Sequence, residues 1–289
     1  MQDSRRGGWA AFSAYVIWGV FPLYFKSLAN IQAVEVLGHR IVWSALLTTL
    51  LVLALGRAGA LAAVFRDHKR LLGLTGSAIA ITVNWGCYIW AVGHGHALDA
   101  SIGYFLHPLA SVLLGRVFLK ERLNRRQGLA VGLVCIGIAV LAIGLGHLPW
   151  VAVTLAISFG LYGLLRKVVP VDALVGLTVE TLLLLPFALA FLWTRPYGGA
   201  LLNAGVTTQA LLLASGPVTT IPLVLFAFGA RRLKLSTLGL MQYVNPTMQM
   251  SIAVLAFGEA FTPVHAVTFA FIWSGLLVYS LPFLRRRTA

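Results

Sequence analysis

Two stretches decide the architecture: YFLHPLASVLLGRVFLKE at residues 104–121 and QYVNPTMQMSIAVLAFGE at residues 242–259. Laid over one another at an offset of 138, each holds a polar residue followed by proline, His107-Pro108 and Asn245-Pro246. Thirteen residues after each proline stands an acid, Glu121 and Glu259. Gly137 and Gly275 continue the match at the same offset. Earlier in each copy, Trp9, Gly19 and Lys26 answer to Trp150, Gly160 and Lys167 at an offset of 141. Matches that keep their order along the chain indicate a duplicated unit, read here as 1–146 and 147–289.

Each unit is built to lie in lipid. Of the 289 residues 59% are hydrophobic and 10% charged, which is more apolar surface than a soluble fold can hide. Ten apolar runs follow one another: Gly8–Leu28, Ala33–Leu55, Leu71–Gly93, Ala100–Leu119, Gln127–Leu145, Leu148–Leu165, Ala173–Trp193, Gln209–Phe228, Leu235–Phe257 and Pro263–Leu284. Each is close to the ~20 residues that cross a bilayer as a helix. The expectation is an all-α membrane protein with ten transmembrane helices. Five spans per unit is an odd number, so the second copy enters the membrane from the opposite face. Inverted repeats of this kind give a carrier with a site near the midplane between the halves.

The formal net charge of +14 has to be read with the spans. With the N-terminus inside, all but Lys26, Arg40 and Arg195 of the 22 Lys and Arg residues fall on the cytoplasmic side. That asymmetry places both termini in the cytoplasm of a bacterial inner membrane. It leaves no basic face with interleaved aromatics for nucleic acid. Arg5-Arg6 before the first run superficially suggests a twin-arginine signal, but the run is long and lacks a small-residue cleavage site, so it reads as a retained helix. Cys87 and Cys135 fall inside apolar runs and imply no disulfide framework. No nucleophile motif, phosphate-binding glycine loop or metal-ligand spacing is present, so the chain reads as no enzyme, with neither cofactor nor metal. His94-Gly95-His96 with Asp99 is too sparse a set for a metal site.

Polar residues inside spans mark a cavity or a helix contact. Tyr104, His107 and Ser111 share one face of the fourth span, and Gln242, Asn245 and Gln249 repeat the spacing in the ninth. Asn84, Trp85 and Tyr88 lie in the third span, Tyr162 in the sixth, and Tyr243 beside the ninth-span stripe. Apart from Ser111, these residues are the ten candidate substrate contacts: aromatic faces for an apolar side chain, amides and hydroxyls for polar ends. The same groups would also serve as hydrogen-bond glue between helices, and both readings stand at this point. Arg40 and Glu180 occupy equivalent repeat positions at an offset of 140, as structural or coupling charges. A lone charge at mid-bilayer costs about 3 kcal/mol or more, so each needs a partner or a wet cavity. Glu35 and His39 are spaced to pair, and Glu121 and Glu259 stand where a carboxylate caps the following helix.

Several segments carry a family resemblance: Ala14-Tyr15-Val16-Ile17-Trp18-Gly19, His39-Arg40-Ile41-Val42-Trp43-Ser44, Asn84-Trp85, Gly103-Tyr104-Phe105, Ser158-Phe159-Gly160-Leu161-Tyr162-Gly163, Glu180-Thr181-Leu182 and Gln242-Tyr243 with Asn245-Pro246. With the paired Pro-then-Glu hairpins, the chain resembles the EamA repeat of the drug/metabolite transporter superfamily, and within it RarD-like proteins. The resemblance implies a basket of ten helices around a central cavity. It implies export of small metabolites, since the related YddG-type carriers export aromatic and other amino acids. The expected cargo is therefore an amino acid, aromatic or otherwise neutral. A drug or other neutral metabolite is the alternative, and a passive channel a further one. The expected partners are that small molecule and the lipid bilayer, with the protein acting as a monomer.

The charge asymmetry yields a direct expectation. Reporter tags at the N-terminus and after Ala289 should both read cytoplasmic, and a tag near His96 should read outside. A C-terminal tag exposed outside would remove the ten-span count.

Overall fold

The computed structural model describes residues 2–118, 120, 125–230 and 241–285. Glu121, Arg122, Arg231, Arg232, Lys234, Arg286 and Arg287 lie outside the described residues, as does the start of the ninth expected span. In chain order the helices are α1 (Gln2–Gly19), α2 (Phe21–Lys26), α3 (Ala33–Ala54), α4 (Ala58–Arg66), α5 (His68–Gly93), α6 (Ala97–Phe118), α7 (Arg125–Leu145), α8 (Trp150–Val168), α9 (Ala173–Trp193), α10 (Gly199–Asn203), α11 (Val206–Ala230), α12 (Val244–Leu255) and α13 (Pro263–Arg285). There is no strand among the described residues. Seven apolar helical stretches among them are long enough to cross a membrane. This is what lipid demands, since a helix satisfies its own backbone polar groups where no water can.

The turns lie where the sequence relaxes that demand. Gly95 and Gly146, with φ of +78° and +72°, take left-handed backbone between α5 and α6 and between α7 and α8. Asp67 opens α5 by accepting the backbone N–H groups of Arg70 and Lys69, and those bonds hold its carboxyl below the ordinary range. Leu72, Ile143, Phe187 and Leu255 stay exposed, as side chains facing acyl chains should.

The helices pack as a network of pairs: α1 with α11 and α12, α8 with α5 and α6, α3 with α9 and α11, α5 with α9, α6 with α12, and α7 with α13. Small residues set the closest approaches, because in lipid helices associate through packing and not through an apolar drive. Gly216 of α11 rests on α3, where an added Cβ would lie 2.6 Å from the Trp43 carbonyl oxygen. Gly103 of α6 rests on α8 in the same way, 3.0 Å from the Ala152 carbonyl oxygen.

Two carboxylates cap helices far from themselves in sequence. Glu259 does not cap the helix that follows it. It accepts the backbone N–H groups of Ala97 (2.9 Å) and Leu98 (2.7 Å) at the start of α6. The α13 start has its own partner, since His265 Nδ1 accepts from the Thr262 backbone N–H. Glu35 does not pair with His39 either. It takes the Ala200 N–H at 2.5 Å, at the start of α10, where unpaired donors attract a carboxylate more strongly than a neutral imidazole does. His96 meets Asp99 at 3.1 Å and His94 stacks on Trp90, and no metal-binding cluster of three or more His, Cys, Asp or Glu occurs among the described residues.

The close approach at Gly216 should be intolerant. Gly216→Ala is expected to lower the melting temperature of purified protein by several degrees, whereas Gly128→Ala, with nothing within 4 Å of the added Cβ, should change it little. Equal effects would mean that the α3–α11 contact does not depend on the missing side chain.

Candidate functional site

The candidate residues fall into three connected groups. The first surrounds Arg40 of α3. Its Nε donates to Thr219 Oγ1 of α11 at 2.9 Å, and its guanidinium lies 4.1 Å from the Trp85 ring centroid of α5. Phe25 and Phe21 of α2 stand 5.4 and 5.8 Å away. Arg–aromatic contacts of this kind are worth about 2 kcal/mol when desolvated. From Phe25 a ladder of edge-to-face rings runs through Tyr88 (5.8 Å) to Tyr104 (5.6 Å).

The ladder continues into the second group. Tyr104 meets Phe159 of α8 at 6.3 Å, and Phe159 meets both His107 (4.5 Å) and Tyr162 (5.8 Å). His107 Nδ1 and Gln242 Nε2 lie 2.8 Å apart, so the fourth- and ninth-span stripes touch. Beyond Tyr162 lies Glu180 of α9, fully buried. Ser77 donates to Glu180 Oε1 at 2.5 Å, Arg166 Nη1 lies 3.6 Å from the same oxygen, and the Tyr162 hydroxyl stands beside the carboxylate. Arg166 reaches so far in because Gly176, one turn before Glu180, has no side chain: a Cβ there would overlap the guanidinium.

The third group is structural in character. Gln249 of α12 donates to the Trp18 carbonyl of α1 (3.2 Å) and to Asn245 Oδ1 (2.7 Å). Asn84 of α5 uses its amide against α8, donating to the Leu155 carbonyl and to Ser158 Oγ, both at 3.1 Å. Asn84 and Gln249 therefore clamp helix pairs, with only a long contact of 3.5 Å from the Tyr104 hydroxyl to Asn84 Oδ1. Tyr243 stacks on Phe105 at 6.4 Å, and Phe105 in turn meets Phe269 of α13 edge-to-face at 5.4 Å.

Sequence reasoning alone passed over Phe25, Phe159 and Arg166 as site residues. Phe25 and Phe159 offered no signal beyond being aromatic in an apolar run. Arg166 sat at a span end and counted as a loop charge, and the glycine that admits it is ten residues away.

The Gly176 seat has a measurable consequence. Gly176→Ala should expel Arg166 and leave Glu180 without its counterion, lowering folded yield and thermal stability on the scale of a broken buried pair, about 3 kcal/mol. In a Glu180→Gln background the same substitution should cost much less, because there is no carboxylate left to strand. Equal costs in both backgrounds would show that Gly176 serves packing alone.

These features can be set beside known proteins. Residues 5–143 match the sequence model of the EamA-like transporter family. The chain is similar to a Pseudomonas aeruginosa protein described as an uncharacterized transporter, at 47% identity over 96% of this chain and 93% of that one. It is similar to protein RarD of Streptomyces exfoliatus, at 43% identity over 98% and 90% of the two chains. One protein crystal structure superposes with a TM-score of 0.61 over 95% of this chain and 96% of the other, at 19% identity, a likeness of fold alone. A many-helix apolar chain, its buried polar ladder and relatives matched over nearly their whole length lead to one assignment: the chain belongs to the EamA-like transporter family, as a RarD-like member.

Proposed function

We propose that the protein is an inner-membrane carrier that exports small metabolites, chiefly amino acids with aromatic or other neutral side chains, by alternating access. Its units are residues 1–146 and 147–289, five spans each, of opposite topology, with both termini cytoplasmic and the monomer as the working form. The observation that carries this reading is the helix pairing. Exchange α1 with α8, α3 with α9, α5 with α11, α6 with α12 and α7 with α13. The pairs α1–α11 and α6–α8 then become α8–α5 and α12–α1, and α3–α11 becomes α9–α5, all of them packed pairs. A fold that maps onto itself under exchange of its halves can adopt two related shapes, one open to each side.

On this reading the halves meet at the His107–Gln242 contact (2.8 Å), which supports a site there, with Phe159 and Tyr162 alongside. Amides, an imidazole and hydroxyls offer both donors and acceptors, which suits a zwitterion, while the rings suit an apolar side chain. The uncharged stretch from Tyr104 through Phe159 would also take a neutral drug-like molecule, and that is the second reading. The ladder carries no nucleophile-and-base pair, which favours carriage over turnover.

Purified protein in liposomes, offered a panel of radiolabelled amino acids and neutral metabolites, should show saturable counterflow for at least one amino acid. Tyr104→Ala, Gln242→Ala and Asn245→Ala should each raise the transport KM several-fold, the equivalent of about 0.5–1.5 kcal/mol for a lost hydrogen bond. Unchanged KM with lowered melting temperature in all three would make the stripe helix glue and move the substrate site elsewhere.

A further inference from the structure

The two buried intramembrane charges are not treated alike. Glu180 has Arg166 at 3.6 Å and the Ser77 hydroxyl at 2.5 Å. Arg40, 5% exposed, has no carboxylate within 4 Å among the described residues. Its side-chain hydrogen bond to Thr219 is oriented, because the Thr219 hydroxyl gives its own proton to the Ser215 carbonyl (2.8 Å) and so can only accept from Arg40. That bond uses Nε. Trp85 covers the guanidinium at 4.1 Å, with Phe25 at 5.4 Å. What remains is the edge that carries the two terminal nitrogens. A second group is unfinished in the same place. The Tyr88 hydroxyl, in a side chain 2% exposed, has no hydrogen-bond partner, and the Tyr88 ring meets Phe25 at 5.8 Å, the same ring that faces the Arg40 guanidinium at 5.4 Å.

We infer that Arg40 and the Tyr88 hydroxyl together form an anchor for a carboxylate on the transported molecule. This rests on the carrier reading above and narrows it to organic acids and amino acids. The chemistry is a planar fork of N–H donors meeting a planar pair of oxygens, with a neutral hydroxyl as the third donor. A carboxylate brings one negative charge to Arg40, which has no carboxylate within 4 Å among the described residues, so the ion pair it forms carries no net charge. A phosphate dianion would leave excess charge in a low-dielectric surrounding, since Arg40 is met there by rings and one hydroxyl. Trp85 and Tyr104 give the remainder of such a ligand an apolar, ring-lined wall.

The test compares carboxylates with the matching carboxamides, in which the acid group alone is made neutral, on the whole protein in lipid nanodiscs. The probes are phenylalanine, leucine and 3-phenylpropionate against phenylalaninamide, leucinamide and 3-phenylpropanamide, with Kd measured by equilibrium binding. Acids should bind wild type at least tenfold more tightly than the matching amides. Arg40→Lys, which keeps the charge and loses the fork, should remove most of that preference. Tyr88→Phe should weaken the acids several-fold and leave the amides unchanged. The wild-type comparison needs no variant, and Tyr88→Phe guards against misfolding of the arginine variant. Amides that bind as well as acids, acids indifferent to both substitutions, or a panel in which no acid binds would each overturn the inference. Amino acid transport with amides accepted equally would sink the carboxylate anchor and leave the carrier standing. Arg40-dependent binding of 3-phenylpropionate with no amino acid transport would do the reverse to the amino acid reading.

Discussion

A charge inside a bilayer must be answered by something, and the interior of this protein is organised around two such answers. Glu180 is met by an arginine from the neighbouring helix end and by a serine from a third helix. The pair ties α5, α8 and α9 at one place, and its geometry depends on an absent side chain at Gly176. Arg40 is met by rings and one hydroxyl. Arg40 and Glu180 each stand seven residues after the start of their helix, α3 and α9, and carry opposite charges. Removing a partner from such a group costs far more than the pair contributes, because the remaining charge stays stranded in a low dielectric.

Between the two charges runs a chain of aromatic rings: Phe25, Tyr88, Tyr104, Phe159 and Tyr162. It crosses from α2, α5 and α6 to α8. Each contact is edge-to-face or tilted, a geometry that tolerates sliding better than hydrogen bonds do. His107 and Gln242 add a polar crossing beside it. Rings and amides thus meet around α6 and α8.

Much of this was legible from the sequence, for physical reasons. Helical period and apolar length are local properties, so Ala33–Ala54 and Ala173–Trp193 were readable residue by residue. Polar residues in apolar runs are conspicuous, which is why Tyr104, His107 and Gln242 stood out before any contact was known. Directions between helices are not local. Asn84 turns out to clamp α8, and nothing in its own segment says which way its amide points. Arg166 folds inward because of a glycine on another helix, and Glu259 serves a helix start that lies 161 and 162 residues away. The carboxylate roles could be anticipated in kind, since helix starts attract acids, but their targets are set by packing.

The Glu259 contact bears on motion as well as on stability. One carboxylate, just after α12, holds two backbone donors at the opening of α6, beside Gly95 and His96. Any rearrangement that draws these two chain segments apart must release both donors together and let water take their place. Such a contact behaves as a latch: it is rigid while shut, inexpensive once hydrated, and without a stable half-open position. Opening at this contact would then proceed in a single step, and solvent reaching two amides would be the event that commits it.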